Sequence, residues 1–394
     1  MSRVVVTHAL RTPIGKFEGA LSRLSAVDLG TSVVTDLLKR SGIPSADIAG
    51  LVFGHARQAG NGPNGARQVL VRSGIPVERP AYTVNMACAS GLKAIELAAA
   101  EIRSGAGEVF IAGGMESMSR VPFFLDRMRE GYRLGSGEVV DGMYRDGFLC
   151  PLAGQVMGET AEALGKRYGI AREAQDAFAM ESQARAEKAW AAGAFSAEIS
   201  PVRVPGRKGP ETVVDRDEHP RPGTSMESLE KLPPVFDPKS GTVTAGNSSG
   251  ITDGASALVL MSETEAKRRK LEPLAAIEVV ASAGVDPKAM GLGPVPATRA
   301  LLGKMGGGTV DGFDLVELNE AFAAQVLACV KDLHLPRERL NVNGGAIALG
   351  HPIGCTGARI VVTLLHALRA RGGRRGLATL CVSGGLGLSM SFVR

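Results

Sequence analysis

The stretch Thr83-Val-Asn-Met-Ala-Cys88-Ala-Ser-Gly-Leu92, together with the helix predicted after it, decides the fold. Val84 and Asn85 read as the end of a strand, and Leu92 to Arg103 carry apolar residues at helical spacing. Cys88 therefore falls at a strand-to-helix turn, where unpaired backbone N–H groups and the helix dipole favour a thiolate. A buried structural cysteine is the alternative, and Cys88 alone does not decide between the two.

Strands and helices alternate on both sides of this turn. Further strands are predicted at 3–7, 50–54, 108–114, 256–261, 275–283, 315–318 and 377–385. Further helices are predicted at 25–40, 66–72, 158–168, 172–192, 297–305 and 358–371, and another ends at Val330. This alternation predicts a layered α/β fold with a largely parallel sheet.

The chain also repeats itself. The first unit is Cys88-Ala-Ser-Gly, then a helix, then a strand that ends on Gly113-Gly114. The second unit has the same order: Cys355-Thr-Gly, then a helix, then a strand that ends on Gly384-Gly385. We interpret this as an internal duplication, with two similar halves that face each other across a pseudo-twofold axis. The predicted division is an N-terminal half at 1–118 that resumes at about 248–271, an inserted loop domain at 119–247, and a C-terminal half at 272–394.

Composition excludes several classes of protein. The net charge of +5 is mild for 394 residues, and the basic clusters Arg203 to Lys208 and Lys267 to Lys270 read as solvated surface. We therefore expect no nucleic-acid partner, while a phosphorylated ligand remains compatible with the charge. The N-terminus reads as a strand and not as a signal peptide, and no apolar run reaches the length of a membrane span.

Five cysteines occur, at 88, 150, 329, 355 and 381. An odd number without a short paired spacing indicates reduced thiols, so a cytoplasmic location is expected. Cys88 lies at a predicted helix start, Cys381 ends a predicted strand, and His351 lies in a Gly-His-Pro loop without apolar periodicity. A histidine can activate a cysteine nucleophile, and a second thiol can move a proton. A zinc site formed by Cys88, His351, Cys355 and Cys381 is the rival interpretation, although no C-x-x-C pair supports it.

Eight motifs along the whole chain resemble the thiolase family, and in particular its short-chain acetyl-CoA acetyltransferase branch. They are Arg11-Thr-Pro-Ile-Gly15, Asn85-Met-Ala-Cys-Ala-Ser-Gly91, Ala112-Gly-Gly-Met-Glu-Ser-Met118, Thr242-Val-Thr-Ala-Gly-Asn247, Asn319-Glu-Ala-Phe322, Asn341-Val-Asn-Gly-Gly-Ala-Ile-Ala348, Gly350-His-Pro-Ile-Gly354 and Leu377-Ala-Thr-Leu-Cys381. The resemblance implies a duplicated αβαβα five-layered fold with an inserted loop domain. It also implies an acyltransferase that cleaves short 3-ketoacyl-CoA with CoA, or condenses two acetyl-CoA.

The resemblance assigns roles to individual residues. Cys88 matches the acyl-accepting nucleophile, His351 the base that activates it, and Cys381 the acid/base for the enolate of acetyl-CoA. Asn319 matches the residue that positions a water which, with His351, stabilises that enolate. The backbone N–H groups of Cys88 and Ser383 match an oxyanion hole for the tetrahedral intermediate.

It likewise implies the ligand contacts. Arg221, Ser228 and Ser249 match positions that contact CoA, although Arg221 is equally readable as a solvated surface charge. Met157, Met290 and Phe322 match the acyl pocket or are plain core packing; they complete the list of expected site residues. No metal and no prosthetic group is expected, because CoA is a substrate. The inserted segment is expected to cover the CoA tunnel and to help assemble a homotetramer.

Two positions depart from the family pattern. The family commonly has Cys-x-Gly-Gly-Gly where this chain has Cys381-Val-Ser-Gly-Gly385, so the Ser383 side chain could restrict φ. Acetoacetyl-specific members carry a histidine where this chain has Val156. That leaves a broader-range 3-ketoacyl-CoA thiolase of β-oxidation as the alternative substrate class. A non-catalytic acyl-CoA-binding protein is disfavoured, because it would not need Cys88, His351 and Cys381 together.

Overall fold

A computed structural model describes residues 3–206 and 209–394. Two residues of the predicted basic cluster, Arg207 and Lys208, lie outside the described residues. The strands are β1 (Val4–Arg11), β2 (Gly15–Lys16), β3 (Gly50–Gly54), β4 (Ala81–Val84), β5 (Val109–Ser117), β6 (Phe123–Leu125), β7 (Val139–Asp141), β8 (Leu149–Cys150), β9 (Gln155–Val156), β10 (Val202–Val204), β11 (Thr212–Val214), β12 (Thr252–Ser262), β13 (Ala275–Gly284), β14 (Leu315–Leu318), β15 (Arg375–Val382) and β16 (Leu386–Val393).

The helices are α1 (Ala26–Ser41), α2 (Gly65–Arg72), α3 (Ser90–Ser104), α4 (Met157–Tyr168), α5 (Arg172–Ala191), α6 (Met226–Glu230), α7 (Glu263–Arg268), α8 (Pro294–Lys304), α9 (Ala323–Leu333), α10 (Ala346–Leu349) and α11 (Ile353–Arg371). Eight of these helices lie close to predicted positions, whereas the short α6, α7 and α10 were not predicted. Ends are set by local chemistry. In α1 the side chain of Ser25 caps the N–H of Asp28, and Gly42 closes the helix in the left-handed conformation.

Ten strands form one mixed sheet. The order is β14-β15-β16-β13-β1-β12-β5-β3-β4, and the short β2 pairs with β12. Only β3 with β4, β3 with β5 and β14 with β15 run parallel, so the prediction of a largely parallel sheet is wrong. The reason is that β12 and β16 return antiparallel beside β5 and β15. β16 was not predicted, because the glycines before it read as the end of a strand, whereas they form a tight hairpin.

The two halves have the same topology. The order β1-β12-β5-β3 repeats as β13-β16-β15-β14, and α3 precedes β5 as α11 precedes β15. The halves join where the equivalent strands β1 and β13 pair antiparallel, with Val5 opposite Ala276 and Val6 opposite Ala275. Antiparallel pairing of equivalent strands is what a twofold axis between two halves produces. The predicted internal duplication is confirmed.

Three apolar clusters define five layers. Between the two halves of the sheet lie α3 and α11, which bury side chains such as Ile95 and Leu364 in a shared core. On the outer face of the N-terminal half, α1 and α2 contribute Val33 and Val69. On the outer face of the C-terminal half, α8 and α9 contribute Leu301 and Val326. The predicted helix–sheet–helix–sheet–helix arrangement is therefore confirmed.

The helix α11 is unusually apolar for its length. Among the described residues it is the one helix long and apolar enough to cross a bilayer, but 83% of that segment is buried inside the protein. Its packing between the two halves of the sheet explains this composition without a membrane.

The segment between β5 and β12 packs closely on both halves. Leu164 of α4 and Phe178 of α5 lie in the same apolar cluster as residues of α9. The guanidinium of Arg11, at the end of β1, is fully buried and pairs with Glu198 at 2.5 Å and Asp217 at 2.7 Å. These contacts anchor the segment to the first strand of the sheet. The exact domain bounds stay a prediction.

The first turns of α3 and α11 touch through two glycines. A Cβ added to Gly91 would lie 2.6 Å from the backbone N of Ala358, and one added to Gly357 would lie 2.4 Å from the backbone N of Leu92. Only hydrogen atoms fit between the two helices here. This close approach places the loops before the two helices, which carry Cys88 and His351, next to each other.

We predict that Gly357→Ala destabilises the protein. The added methyl group meets backbone that cannot move aside, and overpacking of this kind costs about 1–3 kcal/mol. Urea unfolding followed by circular dichroism measures the loss. The matched control is Gly303→Ala in α8, where an added Cβ meets nothing within 4 Å; it should be neutral or slightly stabilising. Equal stability of the two variants would contradict the close approach.

Candidate active site

The turn that carries Cys88 is held by its neighbours. Asn85 Oδ1 accepts the Ala87 N–H at 2.9 Å, and Ser90 Oγ donates to the Ala87 carbonyl at 2.6 Å. Ala87 has a φ of 43°, in the left-handed region that non-glycine residues rarely adopt. A strained residue beside a nucleophile is typical of functional sites. The turn presents the half-buried Cys88 at the start of α3.

The hairpin after β15 reaches the same place. Cys381 is buried near the end of β15, and the backbone N–H of Ser383 is close enough to the Cys88 sulfur to oppose the burial that raises the pKa of that thiol. In this hairpin the positive φ angles belong to Gly384 (91°) and Gly385 (86°), and not to Ser383. The serine side chain therefore adds no backbone strain, and its N–H points at Cys88.

His351 is oriented by the first turn of α11. Its Nδ1 lies 2.6 Å from Thr356 Oγ1, which itself donates to the Pro352 carbonyl at 2.9 Å. Because the hydroxyl has only one hydrogen, it accepts from Nδ1–H, and the network assigns the free lone pair of His351 to Nε2. Nε2 lies 3.5 Å from Asn319 Nδ2, and the buried Asn319 Oδ1 has no partner in the described chain.

A buried carboxylate joins the two halves beneath the site. Glu116, on β5, accepts the backbone N–H of Ala56 at 3.2 Å, of Arg57 at 3.2 Å and of Gly354 at 2.9 Å. The first two follow β3, and Gly354 begins α11. Glu116 thus fixes the start of α11 against the N-terminal half.

These elements enclose a cavity of about 360 Å³. It brings together most of the residues that the sequence predicted: Cys88, His351, Cys381, Ser383, Arg221, Ser249, Met157, Met290 and Phe322, with Val156 also in the wall. Asn319 lies behind His351 and does not line the cavity. Ser228 is exposed on α6, where its hydroxyl donates to the Ser225 carbonyl. The CoA contact predicted for Ser228 stays a prediction.

Other residues of the cavity wall were missed, and four of them matter for the site: Arg57, Met118, Phe148 and Ile353. They lie on the Cys88 side, where Met118, Ile353 and Phe148 pack in one apolar cluster with Cys88. Met157, Met290 and Phe322 instead pack around Cys381. The sequence offered one signal for Arg57. This residue comes three residues after a buried strand, and the ends of neighbouring parallel strands lie at the same edge of a sheet, where ligands bind.

Burial dominates the ionisation of the site. It raises the pKa of the Cys88 thiol, although the positive charge of Arg57 and the Ser383 N–H act in the opposite direction. Burial, and then the charge of Cys88, raise the pKa of Cys381 well above its ordinary value. Burial, Arg359 and Arg57 lower the pKa of His351 to about 3. Near neutral pH both thiols are protonated and His351 is a neutral imidazole with a free Nε2.

The zinc alternative lacks a suitable set of ligands. Within residues 3–206 and 209–394, no group of three or more His, Cys, Asp or Glu side chains is arranged to hold a metal ion. The sulfur of Cys355 lies 3.1 Å from the Ser256 hydroxyl instead. Cys355 is therefore a packing residue of the α11 interface.

A duplicated α/β fold that gathers a helix-start cysteine, a neutral imidazole and a second thiol in one cavity is the arrangement of an acyl-transfer enzyme. The family models of the thiolase N-terminal and C-terminal domains match residues 4–264 and 271–394. The chain belongs to the thiolase family and is an acyltransferase.

Similar proteins cover the chain end to end. The acetyl-CoA acetyltransferases of Escherichia coli (strain K12) and Pseudomonas aeruginosa are 50% and 48% identical to it, with 100% of both chains covered. The acetyl-CoA acetyltransferase of Bacillus anthracis has a TM-score of 0.97 at 45% identity, over 100% of this chain and 99% of that one. Human mitochondrial 3-ketoacyl-CoA thiolase has a TM-score of 0.96 at 40% identity, with the same coverage.

We predict that alkylation of Cys88 by iodoacetamide accelerates as pH rises from about 7 to about 10. The raised pKa of Cys88 leaves a thiol at neutral pH, and only the thiolate reacts. His351 is already neutral above about pH 5, so it adds no step in this range. Peptide mass spectrometry at fixed times measures the rate, with Cys88→Ser as the control. A rate that is flat across this range would instead indicate a preformed thiolate–imidazolium pair.

Proposed function

We propose that this enzyme cleaves short 3-ketoacyl-CoA, with acetoacetyl-CoA foremost, and catalyses the reverse Claisen condensation of two acetyl-CoA through an acyl group on Cys88. The observation that carries the proposal is the cavity that holds two thiols and a neutral histidine in different environments. The names of the relatives support this choice of substrate, since the bacterial proteins that are 50% and 48% identical to the chain are acetyl-CoA acetyltransferases.

In the cleavage direction, Cys88 Sγ attacks the 3-keto carbon and His351 Nε2 takes the thiol proton. The oxyanion accepts hydrogen bonds from the backbone N–H groups of Cys88 and Ser383, which both lie against the Cys88 sulfur. The bond between C2 and C3 then breaks, which leaves an acyl group on Cys88 and the enolate of acetyl-CoA.

The second thiol completes the cleavage. Cys381 is the more strongly perturbed of the two thiols and stays protonated, so it donates its proton to the enolate carbon. His351 and a water held by Asn319 stabilise the enolate oxygen, which gives the unpartnered Asn319 Oδ1 a function. A second CoA then attacks the acyl-cysteine and leaves as the shortened acyl-CoA.

Residues at the mouth of the cavity have the charge and polarity that binding of CoA requires. Arg221 is exposed there and offers a positive charge to a phosphate, and Ser249 lines the same wall. The broader-range alternative rests on Val156, an apolar residue of the cavity wall, and on the likeness to the human 3-ketoacyl-CoA thiolase.

We also propose a homotetramer and a cytoplasmic location. Support for the assembly comes from apolar side chains exposed between β6 and α4, among them Phe123 (64%), Leu134 (91%) and Leu152 (71%). Support for the location comes from the cysteines, which are all free thiols.

The substrate assignment predicts efficient CoA-dependent cleavage of acetoacetyl-CoA and weaker cleavage of unbranched eight- and ten-carbon 3-ketoacyl-CoA. Loss of the enolate absorbance of the 3-ketoacyl-CoA measures kcat/KM for each, since cleavage removes the 3-keto group. Cys88→Ser should abolish all turnover, because a serine hydroxyl is far less acidic than a thiol. Equal or better cleavage of the longer chains would move the enzyme to the β-oxidation alternative. Turnover by Cys88→Ser would overturn the mechanism.

The division of labour between the thiols predicts a selective defect in Cys381→Ala. Acetyl-CoA should still acetylate Cys88, seen by intact-protein mass spectrometry, because that step needs only Cys88, His351 and the N–H groups. Exchange of the acetyl-CoA methyl protons with deuterated water should fall at least about 100-fold, since the acid/base is gone. The matched control is Cys355→Ala, which removes a buried thiol outside the cavity and should keep both reactions. Normal exchange in Cys381→Ala would reject its role.

A further inference from the structure

Arg57 is a cation inside the acyl-transfer cavity. It follows β3, its side chain is almost fully buried (8% exposed), and it lines the cavity with Cys88. It shares the cavity wall with Cys88 and His351, and its positive charge acts to lower the pKa of both groups. The backbone N–H of Arg57, held by Glu116, fixes where this side chain starts.

No protein group in the described chain neutralises this guanidinium. Among the described residues, the nearby Glu116 pairs with His55 and with the backbone N–H of Arg57, and no carboxylate lies within 4.0 Å of the guanidinium. Its buried Nε has no partner. The described lining contains two arginines, Arg57 and Arg221, and no Asp or Glu. A buried unpaired charge is costly, so a cavity that keeps one is suited to an anionic ligand.

The surrounding chain leaves room for the guanidinium. It lies against Gly147, where an added Cβ would come within 2.8 Å of Arg57 Nε and 2.9 Å of Nη2. Any other residue at 147 would push the guanidinium away from this place. The guanidinium of Arg57 therefore occupies a recess that is open because residue 147 is a glycine.

Arg57 and Arg221 serve different parts of a substrate. Arg221 is exposed at the mouth, whereas Arg57 is buried on the side where Met118, Phe148 and Ile353 pack near Cys88. An acyl group bonded to Cys88 has these residues as its nearest wall. The far end of such an acyl group therefore lies on the side of the cavity that holds Arg57.

We propose that Arg57 binds a carboxylate at the far end of the acyl chain, so that the enzyme also takes 3-ketoacyl-CoA substrates derived from dicarboxylic acids. This inference rests on the proposed function, since it concerns the acyl group carried by Cys88. A planar guanidinium can hold a carboxylate through two hydrogen bonds. An acyl chain ending in a methyl group leaves the same charge unpaired.

The test compares two six-carbon substrates, 3-ketoadipyl-CoA and 3-ketohexanoyl-CoA, which differ only in a terminal carboxylate or methyl group. The wild-type enzyme should show a higher kcat/KM for the carboxylate. Arg57→Leu should lower the ratio of the two kcat/KM values by about 10- to 100-fold, the range for a charged hydrogen bond, and Arg57→Lys should lie between. If Arg57 only activated Cys88, its removal would slow both substrates equally. An unchanged ratio would overturn the proposal.

A second measurement needs no variant. Succinyl-CoA and butyryl-CoA have four-carbon acyl groups that differ at the same end. In each case the Cys88 thiol attacks the thioester carbonyl, the C–S bond to CoA breaks, and the thiol proton passes to the CoA sulfur. Intact-protein mass spectrometry should show faster succinylation than butyrylation of Cys88, and slower succinylation would contradict the proposal. Acetoacetyl-CoA, tested in the same assays, separates failure of this proposal from failure of the proposed function. If the enzyme reacted with none of succinyl-CoA, butyryl-CoA and acetoacetyl-CoA, the proposed function itself would be rejected.

Discussion

The backbone contact between the first turns of α3 and α11 is the constraint on which the rest of the molecule depends. Each helix follows a loop that carries one reactive side chain, Cys88 or His351. With glycine at 91 and 357, the two helices approach until backbone meets backbone. The close approach buries both helices between the two halves of the sheet and places the two loops side by side. The same contact between α3 and α11 therefore contributes to the stability of the fold and to the placement of Cys88 beside His351.

The duplication explains why such a contact can form at all. Equivalent strands pair antiparallel at the centre, so equivalent helices from the two halves cross the same axis. The halves have since diverged in chemistry. One helix start carries Cys88, the proposed nucleophile, and the other carries His351, its proposed base. The glycine hairpin after β15 adds a second thiol and an N–H group. A symmetric scaffold holds an asymmetric site.

Burial then sets the protonation of that site. The same apolar walls that exclude water keep Cys88 and Cys381 as thiols and His351 as a neutral base. Local groups separate the two thiols, because the Arg57 charge and the Ser383 N–H act to lower the pKa of Cys88 against the effect of burial, whereas the charge of Cys88 raises the pKa of Cys381. The difference in environment, and not a difference in residue type, distinguishes the proposed nucleophile from the proposed proton donor.

The sequence by itself determined most helix and strand positions, the duplication and the candidate trio of Cys88, His351 and Cys381. These depend on local periodicity, on turn residues and on motifs that are short in the chain. Tertiary structure alone decided the mixed direction of the sheet, since a strand's direction depends on where a long connection returns it. It alone showed that Ser228 lies outside the cavity and that Arg57 lies within it. A sequence does not show whether a charged residue faces water or a substrate. Its neighbours are set only when segments that are distant in the chain pack together.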